Sequence, residues 1–542
     1  MKRTTISLLA TATALAAVTG FAALMTPGGD TAAEAKAPAR LPVERSSLLC
    51  PAPSGSEVAE TDYTSFTPAG TAGPGGTGGS GSPAKEGSAK EGSAELKPSA
   101  ALADTETEPK KDTTKAGGAK KDGAAKKPAD TKKPANTKKP VADKPVLALK
   151  EPGKPVAAKA AGGDAPALVG TATGRLAPGW AAQQTTTVTA GAARGLLGVS
   201  CTGPDTDFWF PGASTAKDRQ DYVHLTNPDA TPAVADIELY GKDGALKTTL
   251  TEGIAVPAGA SVPVLLSTLT ADPAADLTVH VTTRTGRVGA VVRAADERAG
   301  SDWLSASADP SGTAVLPGIP ADATSVRLVA FAPGEDDADL KVQLAGPGGT
   351  ITPAGHETLH VKSGMTASMD LLDVTKGEAG SLILSPSQSG RPTPVVAALR
   401  VVRGKGDKQE VAYIPATAPV GERASVTDNR AKGSTLSLTA PGATAQVKVT
   451  ASAGTGGGTP AVKTFTVKAG TTLAITGPPV PAGLKGSYVL TVETVSGGPV
   501  HASRTLALPR DGIPMFTVQT MPDDRGMVAV PEAKQDLSVL DD

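Results

Sequence analysis

One stretch of this chain has the literal spacing of a zinc protease, His356-Glu357-Thr358-Leu359-His360. On a helix, histidines four residues apart share one face, so both imidazoles can reach a single ion at about 2.1 Å. The flanks do not permit that helix. Pro353 and Gly355 precede the motif, Gly364 follows it, and the residues alternate apolar and polar as a strand does. On a strand rising ~3.3 Å per residue the two histidines would stand about 13 Å apart, too far for one zinc. Ser214-Thr-Ala-Lys217 matches the S-x-x-K of penicillin-recognising enzymes. Thr427-Asp-Asn is present, but no Lys-Thr-Gly and no long amphipathic helix accompany it. No G-x-S-x-G, P-loop or dinucleotide fingerprint occurs in a strand-helix setting. His224, His280 and His501 sit singly in strand patterns and read as structural or exposed. Glu335-Asp-Asp-Ala-Asp339 reads as a solvated acidic turn before it reads as a calcium site. The expectation is a non-enzymatic protein with no catalytic residue, metal or cofactor.

The remaining chemistry-bearing residues are two cysteines and an aromatic cluster. Cys50 and Cys201 are the only cysteines, and in an exported chain two cysteines imply one disulfide. It would close a loop of about 150 residues, worth ~5 kcal/mol in the chain-entropy model. Phe208-Trp209-Phe210, with Tyr222 nearby, gathers four of fifteen aromatic residues close to Cys201. These rings read as a core plug against the disulfide, or as a sugar-stacking platform and thus a ligand-binding site.

The elements that carry these residues repeat. Ile254-Ala-Val256-Pro-Ala-Gly259, Leu359-His-Val361-Lys-Ser-Gly364 and Phe465-Thr-Val467-Lys-Ala-Gly470 share one phrase, with valines 105 and 106 residues apart. Tyr222-Val-His-Leu-Thr, Ser325-Val-Arg-Leu-Val and Ser434-Thr-Leu-Ser-Leu occupy equivalent places upstream, and all alternate as half-buried strands. A repeat of about 100 residues with a strand every ten or so is one sandwich per repeat. The fold class expected is all-β, three tandem immunoglobulin-like β-sandwich domains with a long disordered insertion and an N-terminal hydrophobic segment. The first sandwich would span residues 31–68 plus 166–300, the second 301–405, and the third 406–542 with C-terminal strands.

The N-terminus begins Met-Lys2-Arg3 and continues uncharged from Thr4 to Gly29, so residues 1–30 read as a signal peptide or a signal anchor. Ala33-Glu34-Ala35 offers a small-x-small cleavage site, and both readings stay open. The chain is therefore expected to be extracytoplasmic, secreted or anchored to the membrane. Residues 69–165 contain no aromatic residue and read as a disordered Lys/Pro/Gly-rich linker inserted in the first domain. Residues 110–144 hold twelve lysines against four aspartates, a local +8 within a chain of net charge −1. Such a segment is a solvated spacer, or it is drawn to polyanions such as acidic wall glycans. Nucleic acid is not an expected partner, because the chain leaves the cytoplasm and no aromatic residues interleave the lysines.

Gly195-Leu-Leu-Gly-Val-Ser-Cys201 leading to Asp207-Phe-Trp209-Phe, and Ser301-Asp-Trp303-Leu leading to Leu316-Pro-Gly-Ile-Pro, carry a resemblance. They resemble an actinobacterial family of exported proteins classed only as a domain of unknown function, with a Cys…Asp-Phe-Trp-Phe motif. That resemblance implies export and a β-rich fold, and no activity. The function expected is a cell-envelope structural or binding array whose partner is a wall polyanion or glycan, or another envelope protein. The alternatives are carbohydrate binding centred on Trp209 and a zinc metalloprotease at His356 and His360.

Overall fold

The computed structural model describes residues 39–70, 92–101, 144–191, 193–249, 252–388 and 391–530. The N-terminal apolar segment, the possible cleavage site and most of the lysine-rich stretch lie outside the described residues. Among the described residues there is no α-helix, and none long and apolar enough to cross a membrane. The strands form antiparallel sheets, with one short parallel pairing. Ala39–Pro42 and Met527–Val530 make a separate two-stranded ribbon, so Met527–Val530 does not complete the last sandwich.

Residues 43–526 hold eight larger sheets that pair into four sandwich-like layers, each around its own apolar core. The segment expected to be one first sandwich therefore contains two. The first runs from Arg45–Cys50 to Gly195–Ser200, and the second from Asp207–Ala213 to Gly300–Leu304. The third runs from Ala314–Ile319 to Lys408–Pro415, and the fourth from Arg423–Asn429 to Phe516–Thr520.

The linker boundaries also change. Ala94–Pro98 and Leu147–Leu149 pair with each other inside the first sandwich, and Val156–Ala161 pairs with Ala59–Phe66. Ala94, Leu96, Leu147 and Leu149 alternate with more exposed residues and are almost completely buried, which gives these short pieces enough apolar surface to join a sheet. Ala100–Ala101 lies parallel to Ala260–Leu265 in the second sandwich.

The repeated sequence phrase has a local cause. In each of the last three sandwiches the chain leaves one sheet after Val256, Val361 or Val467 and enters the facing sheet at Ala260, Thr366 or Thr471. The turn between requires a left-handed residue, supplied by Gly259, Gly364 and Gly470 at φ of 63°, 66° and 67°. The buried valine closes the core on one side of the turn, and the glycine aims the next strand across it.

The last strand of each sandwich is an edge strand: Gly195–Ser200, Gly300–Leu304, Lys408–Pro415 and Phe516–Thr520. These four meet. The first touches the second, the second the third, the third the fourth, and the fourth the first again. Residues 301–304 and 409–415, expected to open new domains, are thus closing strands of the preceding sandwiches. The array is a closed ring of four, in which these edge strands pack against one another.

Candidate functional site

Two acidic side chains occupy the centre of the ring. Glu410, on the closing strand of the third sandwich, has no exposed surface. Its Oε1 accepts the backbone N–H of Leu196 from the first sandwich at 2.8 Å, and its Oε2 lies 3.4 Å from Arg194 Nη1. Burial pushes its pKa up to about 8, against the opposing pull of the Leu196 amide and Arg194. Asp302, from the second sandwich, is equally buried. Its Oδ1 accepts from Gly198 N–H (3.0 Å), its neighbour Trp303 N–H (2.8 Å) and Thr517 Oγ1 (3.1 Å). Burial holds its pKa well above the usual carboxylate range, and the nearby Glu410 adds to this. Gly198 is required here, because a Cβ would overlap Gln519 Nε2 and Thr517 of the fourth sandwich. Raised carboxyl pKa values are also a mark of acid catalysts. These two, however, face backbone amides of neighbouring sandwiches and have no exposed surface.

The other interfaces are built similarly. Between the second and third sandwiches, Arg219, held by Asp221 of its own sandwich at 2.8 Å, donates to Tyr413 Oη at 2.9 Å, Arg400 Nη2 to Asp296 Oδ2 at 2.6 Å, and Arg327 Nη2 to Asp276 Oδ2 at 2.6 Å. Between the fourth and first, Arg430 Nη2 donates to Asp62 Oδ2 at 2.8 Å and Thr427 Oγ1 to Gln183 Oε1 at 3.1 Å. Between the third and fourth, Ser503 donates to Pro317 O and Ser381 pairs with Thr439.

Cys50 and Cys201 form a disulfide joining the two sheets of the first sandwich, with Cα atoms 4.5 Å apart. The aromatic residues in that core are Tyr63 and Trp180, and Trp180 Nε1 donates to Ser65 Oγ at 2.8 Å. The Phe208-Trp209-Phe210 cluster lies in the next sandwich and does not plug the disulfide. Alternation along the strand divides it: Phe208 and Phe210 enter the second core, while Trp209 points the other way, against Phe331 and Val396 of the third sandwich. The Trp209 ring stacks on His280 at 3.6 Å, and His280 Nδ1 and Nε2 lie 3.1 Å and 3.4 Å from Glu238 and Asp207. With 8% of its surface exposed, Trp209 offers no face for a sugar.

His356 and His360 are not on a helix. His356 lies in a turn and His360 on the short strand Thr358–Val361. His360 Nδ1 meets Asp339 Oδ1 at 2.7 Å, so the acidic turn and this histidine form an exposed polar cluster. Among the described residues no group of three or more His, Cys, Asp and Glu is arranged to hold a metal. Ser214 Oγ donates to Ala274 O and accepts from Ala216 N–H, which ties it into a turn, and Lys217 is exposed.

A cleft lies between the first and second sandwiches. It is small and partly open to solvent, and His224 lines it together with Leu49, Val199, Thr202, Val291 and Ser305. His224 is 5% exposed, and neither ring nitrogen has a hydrogen-bond partner. Burial, with the charge of Arg293 nearby, pushes its pKa down to about 3. The sequence placed His224 only as a single histidine in a strand. Glu410 and Asp302 gave no signal at all, because their properties come from packing between sandwiches.

The fold and these interfaces define a multi-sandwich all-β protein closed into a ring by buried polar contacts. The chain belongs to a family of unknown function (DUF5719), whose model matches residues 156–478, from Val156–Ala161 of the first sandwich into the fourth. No curated protein and no solved structure matches the chain.

Proposed function

We propose that this protein is an exported, non-enzymatic component of the cell envelope that serves as a rigid structural and binding scaffold. One observation carries this reading. The side chains with the chemistry for catalysis, Glu410, Asp302, Arg219 and Asp221, are buried in contacts within and between sandwiches. Loops and outer sheet faces are left as the surfaces where partners bind, as in other rigid β scaffolds. Export is supported by the apolar segment after Lys2-Arg3 and by the disulfide, which persists in oxidising compartments. An uncleaved N-terminal segment would tether the scaffold to the membrane. The partner is a wall polyanion or glycan drawn to the lysines of residues 110–144, or another envelope protein. Carbohydrate binding through Phe208, Trp209 and Phe210 is the weaker reading, given their burial.

Co-sedimentation of residues 36–542 with purified cell wall, at low and high salt, tests the proposal. A version lacking residues 102–143 runs beside it. Binding that needs the lysine-rich stretch and fades with salt identifies charge tethering. Binding that survives both changes identifies a ligand site on the sandwiches. Absence of binding in both versions rules out the wall and leaves the protein partner, sought by cross-linking.

A further inference from the structure

The cleft at His224 combines two independent features. The strand Tyr222–Thr226 sends Val223 and Leu225 into the second core, so His224 lies on the opposite face of the sheet, toward the first sandwich. Pro51 and Thr202 from the first sandwich and Ser305 and Ala306 from the second complete the walls. At its floor stands a nearly buried imidazole with two unpartnered nitrogens. Its ring meets Trp303 edge-on with centroids 5.2 Å apart, and Trp303 Nε1 is buried and unpartnered too. Native interiors rarely leave such groups unmatched.

The second feature is charge. Arg293 lies on the neighbouring strand, directly opposite Tyr222 in the register, with its guanidinium 5.0 Å from the Tyr222 ring centroid. Its Nε is buried without a partner, and Asp221, the carboxylate whose charge reaches it, is itself paired with Arg219. No aspartate or glutamate lines the cleft. A water molecule could satisfy the imidazole but would leave the positive potential unanswered, and a cation would be repelled by it. A negatively charged acceptor meets both conditions, and Thr202 and Ser305 hydroxyls are at hand as further donors.

We propose that the cleft between the first and second sandwiches binds a small oxyanion, a carboxylate or phosphate group at the tip of a larger ligand, held by the His224 ring N–H with the hydroxyls of Thr202 and Ser305. Arg293 acts at longer range, by drawing the anion in. This site is independent of the envelope role, since it requires only the geometry of the cleft.

The test is a titration of the full-length chain with sodium acetate and, separately, inorganic phosphate, with sodium chloride holding the ionic strength constant. Ring signals of the five histidines are followed by NMR after selective ¹⁵N-histidine labelling. The expected result is one saturable shift, in the signal that is missing from His224→Phe, with binding at least tenfold weaker in Arg293→Met. Acetate without phosphate identifies a carboxylate site, and the reverse a phosphate site. Should His224→Phe fail to fold, His224→Gln assigns the signal. A shift spread over all five histidines, a shift confined to another histidine, or no saturation with either anion overturns the proposal.

Discussion

The Glu410 carboxyl in the third sandwich accepts the backbone N–H of Leu196 in the first at 2.8 Å, across the centre of the ring. Sandwiches more than two hundred residues apart in sequence are thereby joined through a fully buried acid. Burial of this carboxyl, which the Leu196 contact only partly opposes, sets the pH response. Burial raises the Glu410 pKa to about 8 from an unfolded value of 4.5, so the native state holds a proton that the unfolded chain has released. The stability associated with this proton is full below pH 4.5 and declines as pH rises toward 8. The slope for one such group approaches about 1.4 kcal/mol per pH unit. Denaturant midpoints between pH 5 and 9 should fall in the native protein and flatten in Glu410→Gln, which keeps an acceptor for Leu196. An equal slope in both proteins would assign the effect elsewhere.

His224 acts in the opposite direction. Its pKa is pushed down to about 3 from 6.5, so unfolding lets it take up a proton that the folded protein refuses. The stability linked to the neutral ring is present above pH 6.5 and is lost as pH falls toward 3. Thermal midpoints from pH 7 to 4 should drop less steeply in His224→Phe than in the native chain.

Reduction of Cys50–Cys201 should weaken the first sandwich. The bond closes a separation of 151 residues, for which the chain-entropy model gives up to about 5 kcal/mol. Limited proteolysis in the presence of reductant should cut first within residues 43–201. Cleavage that begins in the third or fourth sandwich would contradict this.

Trp209→Ala should cost about 3–5 kcal/mol, the usual loss for a large buried aromatic side chain. The vacated space lies between Phe331, Val396 and His280. His356→Ala, by contrast, removes a side chain in a surface turn and should change stability by no more than about 0.5 kcal/mol, with bound zinc unchanged after dialysis.

The last three sandwiches were legible because each repeats a buried valine followed by a left-handed glycine, at Val256–Gly259, Val361–Gly364 and Val467–Gly470. The first was not. Low-complexity sequence separates its strands at residues 71–91 and 102–143, so Leu96 and Leu149 fall outside any visible period. The strands at Gly300 and Lys408 close the preceding sandwiches, where the sequence suggests the openings of the next ones. A strand's sequence shows its alternation but not which neighbour it pairs with. The aromatic cluster was found but its partition was not anticipated, although alternation already sends Trp209 opposite to Phe208 and Phe210. Asp302, Glu410 and His224 owe their character to a neighbouring sandwich, and nothing local in the sequence announces that.

The central structural claim is that the four sandwiches form one closed body and not a string of independent modules. Differential scanning calorimetry of the intact, oxidised chain tests it most directly. A closed ring unfolds in a single dominant transition for residues 43–526, which Gly198→Ala should move to lower temperature by crowding Gln519 and Thr517. Several resolved transitions, only one of them shifted by Gly198→Ala, would show that the sandwiches unfold separately and would contradict the closed ring.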